Sequence, residues 1–146
     1  MPELPEVETV RKGLQSRLTD FCITKLEICR ENVIASPGGS YDFEKNLIGK
    51  CPFAWKRRGK YLIASLTKFS FQESEQLNNI EKADQGFLGV HLRMTGHFQW
   101  HKKNSKPCSH TRVRFWDQNH NELRFVDVRN FGQMWWVPPG IEVEKI

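Results

Sequence analysis

Residues 87–98 read FLGVHLRMTGHF. Leu88, Val90, Leu92 and Met94 recur at every second position, with His91 and Arg93 among the residues between them. Alternate side chains of a strand point to opposite faces, so this spacing predicts a half-buried strand over 87–94. The pair Thr95–Gly96 then supplies a turn signal, and aromatic residues resume over 96–101 as a second strand.

The same rhythm continues in both directions. Segments 21–29 and 60–67 upstream, and 111–116, 122–127 and 133–137 downstream, are short and rich in β-branched or aromatic residues. SPGGS at 36–40 and DQNHN at 117–121 read as turns between them. Val7, Val10, Leu14 and Leu18 instead recur at spacings of three and four, which predicts a helix over 4–18. FEKNLIGK at 43–50 reads as a second short helix closed by Gly49. Residues 68–86 are polar without strand periodicity and read as a long surface loop. One helix followed by many short strands predicts a mainly β, α+β fold: a two-layer antiparallel β-sandwich carrying an N-terminal helix and a second short helix.

At 146 residues the chain holds one core, and 38% hydrophobic with 27% charged residues is ordinary globular composition. No apolar run reaches the roughly eighteen residues of a membrane span, and the N-terminus lacks a secretory pattern, so a cytoplasmic location is expected. Cys22, Cys29, Cys51 and Cys108 form neither a CxxC pair nor a zinc pattern, and buried free thiols are the expected state. No metal site is visible. The formal charge of +5 permits a polyanionic partner without requiring one. Its distribution says more: Lys56, Arg57, Arg58 and Lys60 cluster, and Arg112, Arg114, Arg124 and Arg129 recur downstream among Trp116, Phe131 and Trp135.

Several residues have chemistry to offer. Met1 removal would make Pro2 the terminus, a secondary amine able to attack an aldehyde carbon, with Glu3 and Glu6 beside it for proton transfer. A proline- and glutamate-rich helix entry is the alternative. Lys60 is either a solvated cation or a phosphate contact. Met94 is either core or an apolar wedge between bases. Arg129 and Phe131 flank a turn beside Gly132, as a stacking pair or as a salt-bridged arginine with a buried ring.

Taken in order, PELPEVETVRKGL, KRRGKYL, HLRMTGHF, SHTRVRF and FVDVRNFG resemble the N-terminal domain of the bacterial formamidopyrimidine-DNA glycosylase family, over essentially the whole chain apart from 68–86. The resemblance implies a catalytic domain at 1–137, with 138–146 starting a linker. Beyond it the family carries a C-terminal helix–two-turn–helix and zinc-finger domain that is absent from this sequence. It implies base-excision repair by a bifunctional DNA glycosylase and AP lyase that removes 8-oxoguanine and formamidopyrimidines. Pro2 would be the nucleophile, Glu3 the acid or base and Glu6 a supporting carboxylate. Lys60 would contact phosphate and assist strand cleavage. Met94, Arg129 and Phe131 would fill the gap left by the flipped base, with the arginine facing the orphaned cytosine. His91, His110 and Arg112 would contact DNA.

The implied partner is double-stranded DNA containing oxidised purines or abasic sites, bound by a monomer in the cytoplasm beside the chromosome, with no membrane involved. No cofactor is expected in this chain, since the family's structural zinc belongs to the absent C-terminal domain. Without that domain, activity is expected to be impaired. A non-catalytic damaged-DNA-binding domain is the alternative, as is an oxidised-pyrimidine glycosylase of the endonuclease VIII type. The PELPEVET opening and the Arg–x–Phe arrangement favour oxidised purines.

Overall fold

The computed structural model of the chain describes residues 4–68, 85–102 and 106–140. Pro2 and Glu3, most of the 68–86 loop and residues 141–146 of the expected linker lie outside the described residues.

Two four-stranded antiparallel sheets form the body. One has the order β1-β6-β7-β5, from β1 (Lys25–Ile28), β6 (Thr111–Trp116), β7 (Glu122–Val126) and β5 (His97–His101). The other has the order β2-β3-β4-β8, from β2 (Lys50–Arg58), β3 (Tyr61–Lys68), β4 (Phe87–His91) and β8 (Gln133–Val137). The helix α1 (Leu4–Arg17) and the shorter α2 (Gly39–Leu47) flank them, with a single 3-10 turn at Glu31–Val33 between β1 and α2. This is the expected two-layer sandwich. The core is the apolar set that the two sheets and helices turn inward, including Leu14, Leu18, Phe43, Leu47, Leu62, Leu88, Val90, Val113, Phe115, Phe125 and Met134.

Three local expectations need correction. The second helix begins at Gly39, inside the predicted SPGGS turn, and ends at Leu47. The residues after it open a strand, β2, that carries Pro52 and a register shift between Pro52 and Ala54. Proline cannot donate to a ladder, and β2 stands at the sheet edge, where this loss is tolerated. The cysteines differ too. Ile23 N–H donates to the Lys50 carbonyl at 2.9 Å and Gly49 N–H to the Ile23 carbonyl at 2.7 Å. That pairing brings the Cα atoms of Cys22 and Cys51 to 4.1 Å, and the two are joined as a disulfide. Cys29 and Cys108 are free but exposed rather than buried.

The connections at one end of the sandwich carry most of the predicted site residues. Strand pairing sets Arg58 opposite Tyr61, Tyr61 opposite His91 and His91 opposite Gln133 in the second sheet. In the first sheet it sets His97 and Thr111 both opposite Val126. The β2–β3 turn, the β4–β5 loop, the β7–β8 loop and the approach to β6 therefore all emerge at the same end. The β4–β5 and β7–β8 loops also carry the chain from one sheet to the other, as the segment from β1 through α2 to β2 does elsewhere.

Candidate nucleic-acid interface

The strand predicted over 87–94 stops at His91, because Arg93 has a left-handed backbone (φ 55°) that a strand cannot accommodate. Met94 therefore does not share the buried face of Leu88 and Val90. It stands out from the loop at 49% exposure. On the neighbouring β7–β8 loop Phe131 is 55% exposed, and the Arg129 guanidinium lies 5.5 Å from the centre of its ring. That spacing is a cation–π contact, and it presents a flat apolar and cationic pair to solvent. His110, exposed, precedes β6 at the same end. Lys60, half-buried, follows the Gly59 turn between β2 and β3.

His91 and Arg112 belong to the same edge but are inward-facing. His91 is 6% exposed, its ring stacked edge-on against Tyr61 at 4.7 Å. Its Nδ1 accepts the Arg93 N–H at 3.0 Å, which requires that nitrogen to be unprotonated. Burial pushes the His91 pKa down from 6.5, and the Arg93 and Lys60 cations push it further, so both effects favour the acceptor form. Arg112 is 5% exposed, and its Nε donates to the Asp127 carbonyl at 2.9 Å. The two place their polar atoms on the loops, where they hold the exposed side chains in position.

Helix α1 leads to this edge. Its Gln15 side chain donates to the Phe53 carbonyl (3.0 Å) and accepts the Trp55 N–H (2.7 Å), while Arg11 Nη1 donates to the Trp55 carbonyl (3.2 Å). Glu8 then pairs with Arg11 at 2.8 Å and with Arg57 at 3.4 Å. Four helical residues rise about 6 Å and two strand residues about 6.6 Å, so α1 and β2 keep step as they run in opposite directions. The next turn of the helix, where Leu4 begins it and exposed Glu6 follows, is level with Gly59 and Lys60. The Arg11 hydrogen bond, aided by Arg57, holds the Glu8 carboxyl down at about 2, so the clamp is charged throughout the physiological range. Pro2 and Glu3 precede Leu4 in the sequence but lie outside the described residues.

Sequence reasoning missed the residue at the centre of this end. Asp127 is fully buried. Its carboxylate accepts the Thr95 hydroxyl and the Gly132 N–H (2.7 Å), and its own N–H donates to the His110 carbonyl (2.9 Å). The Thr95 oxygen in turn accepts the Arg129 N–H at 3.1 Å. One local signal was available: an aspartate in FVDVRNFG, between the strand and a turn that needs capping. Its link to Thr95 is non-local and left no trace in the sequence pattern.

Other basic residues are neutralised. Glu122, buried, pairs with both Arg114 (2.7 Å) and Arg124, and Arg114 also reaches Glu27 at 3.0 Å. Among the described residues no helix is long and apolar enough to cross a membrane, and no three His, Cys, Asp or Glu side chains are grouped to hold a metal.

Comparison with known proteins places this geometry in context. The family described as the formamidopyrimidine-DNA glycosylase N-terminal domain matches residues 1–134. A formamidopyrimidine-DNA glycosylase of Prochlorococcus marinus strain MIT 9313 is 60% identical over all 146 residues, which cover 50% of the relative. One from Parasynechococcus marenigrum strain WH8102 is 54% identical over 143 residues, 98% of this chain and 46% of that protein. The chain thus spans about half the length of the curated relatives it matches. Among solved structures, Lactococcus lactis formamidopyrimidine-DNA glycosylase non-covalently bound to DNA containing an abasic site superposes with a TM-score of 0.77 at 29% identity, covering 93% of this chain and 45% of that one. MutM in complex with DNA containing carbocyclic 8-oxo-G superposes at 0.78 with 28% identity, covering 99% and 46%.

Proposed function

The chain belongs to the formamidopyrimidine-DNA glycosylase family through its N-terminal domain, and from that premise we propose that it is the catalytic half of a base-excision glycosylase and AP lyase acting on oxidised purines in double-stranded DNA. One observation carries the reading. Exposed Met94, Arg129, Phe131 and His110, together with Lys60 and the start of α1, converge on one end of the sandwich.

In this reading Met1 is removed and the Pro2 nitrogen attacks the anomeric carbon of the damaged nucleotide's sugar. The purine leaves with its bonding electron pair and is protonated by an acid, a role assigned to Glu3 with Glu6 in support. Sugar ring opening leaves an iminium joining Pro2 to the sugar carbon. Loss of the adjacent proton then expels the 3′ phosphate, and a second elimination expels the 5′ phosphate. Water finally releases the proline. The iminium serves as the electron sink, so the reading calls on no metal or organic cofactor in this chain. Lys60 holds the phosphate, while Met94, Arg129 and Phe131 occupy the space the flipped nucleotide leaves. His91 and Arg112 act from behind this surface. The partner is a DNA duplex met by a monomer, in the soluble compartment that holds a bacterial chromosome.

Borohydride trapping on abasic duplex tests this directly, after mass measurement confirms the loss of Met1. An iminium is reduced to a permanent crosslink that maps to Pro2, and Pro2→Gly impairs its formation while duplex binding is kept. Absence of any crosslink from the Met1-free chain, with binding intact, would leave a damaged-DNA-binding domain instead.

A further inference from the structure

We propose that Thr95 and Asp127 are positioning residues that lock the Met94 loop and the Arg129–Phe131 loop into one wedge, so that the two loops enter a duplex as a unit. The proposal rests on the DNA reading and adds to it the device that makes two separate loops act together.

The hydrogen bonds run in series. The Thr95 hydroxyl donates its proton to one Asp127 oxygen and accepts the Arg129 N–H at 3.1 Å. The other Asp127 oxygen accepts the Gly132 N–H at 2.7 Å. A single buried carboxylate therefore holds both ends of the Arg129–Phe131 turn, and one hydroxyl ties that turn to the residue after Met94. A second cross-link ties the Met94 loop to the start of β8, where Arg93 Nη2 donates to the Gln133 side chain at 2.6 Å.

Packing repeats the pattern. A Cβ on Gly96 would stand 2.9 Å from Phe125 Cζ, and one on Gly132 only 2.6 Å from the same atom. Each loop thus lays a glycine against the tip of a shared, fully buried ring, Gly96 toward Cε1 and Gly132 toward Cε2, closer than any side chain permits. Neither loop can shift without uncovering Phe125 or stranding a carboxylate oxygen, and a buried acceptor left unmatched is costly. The exposed residues ride on this rigid seam.

Thr95→Val removes the hydroxyl at nearly constant shape, and Thr95→Ser keeps it. The 146-residue chain is measured for its preference for abasic over undamaged duplex, and for amide exchange without DNA. Thr95→Val should lose about three- to tenfold of the preference, the worth of one hydrogen bond, while Thr95→Ser retains it. Exchange should accelerate in both loops together, at Gly96 and at Arg129 and Gly132. In the native chain Met94→Ala and Arg129→Ala should cost less in combination than the sum of their separate effects. In a Thr95→Val background they should add.

Full preference in Thr95→Val, or additivity in the native chain, would overturn the proposal. If the native chain shows no preference for abasic duplex, the DNA reading itself fails. Exchange then decides the coupling alone: joint loosening upholds it, and loosening of one loop overturns it.

Discussion

Two arginine-rich regions of this molecule have opposite fates. On the outer face of the first sheet, Arg114 and Arg124 flank buried Glu122, and Arg114 also reaches Glu27. Trp116 lies between Lys25 and Arg114, at 4.7 and 4.5 Å from its ring centre. Arg124 also donates to the carbonyl of Lys106, on the segment that leads into β6. At the loop end, Arg129 has a ring for company and, among the described residues, no carboxylate. Equal cationic residues in the sequence are therefore unequal as DNA contacts. A guanidinium already matched to carboxylates has little left to offer a phosphate, whereas an exposed one displaces counterions on binding.

Glu122 is the joint of the sheet-face cluster. Glu122→Gln removes the anion that Arg114 and Arg124 share, leaving Arg114 with Glu27, and removing one partner of a buried pair costs about 3–5 kcal/mol. Urea denaturation should show this loss, while the folded fraction keeps its preference for abasic duplex. Altered preference at full occupancy of the folded state would mean that this face also reads DNA.

Met94→Ala and Arg129→Ala should do the reverse. Both side chains are exposed, so stability should stay within about 0.5 kcal/mol. Affinity for abasic duplex should fall about tenfold, near 1.4 kcal/mol, with undamaged duplex less affected. Lys60→Ala should instead weaken both duplexes alike and flatten the salt dependence of binding by about one contact. Equal losses on both duplexes for the Met94 and Arg129 variants would reduce the wedge to general contacts.

The smallest effect concerns pH. His91 has its folded pKa depressed below the ordinary 6.5 by burial first, then by Arg93 and Lys60. Above pH 6.5 both folded and unfolded states carry a neutral ring there, and its contribution to stability is complete. As pH falls below 6.5 the unfolded chain takes up a proton that the folded site resists, so stability declines. Melting curves at pH 7.5 and 5.5 should show a drop that His91→Gln reduces. An unchanged drop in that variant would assign it to other groups.

Periodicity reads well where one element has one buried face. Val7, Leu14 and Leu18 are buried as their spacing implies, and α1 follows. The five strands from β4 to β8 start or stop within a few residues of their predicted bounds for the same reason. The β2 strand escaped because its burial does not alternate: a bulge at Pro52 and the helix packed on it break the two-residue period. The disulfide escaped with it, since Cys51 meets Cys22 only once β2 is in place. In the site, short motifs marked the exposed residues well, with Met94, Phe131, His110 and Arg129 all at the surface. Motifs could not separate Arg112, engaged by a backbone carbonyl, from Arg129, nor find Asp127 as the joint between two loops. Those distinctions arise from contacts between residues far apart in the chain, across paired strands and between loops, which no local pattern records.

In the proposed function the loop end, and not the arginine-rich sheet face, meets damaged DNA. Titrating the isotopically labelled chain with abasic duplex and following backbone amide shifts tests it residue by residue, in the micromolar or weaker regime expected of a sparse set of phosphate contacts. Shifts should concentrate at Gly59, Lys60, Arg93 to Gly96 and Val128 to Gly132, with Arg114, Glu122 and Arg124 unmoved. Shifts centred on Arg114 and Arg124, with the two loops silent, would contradict it.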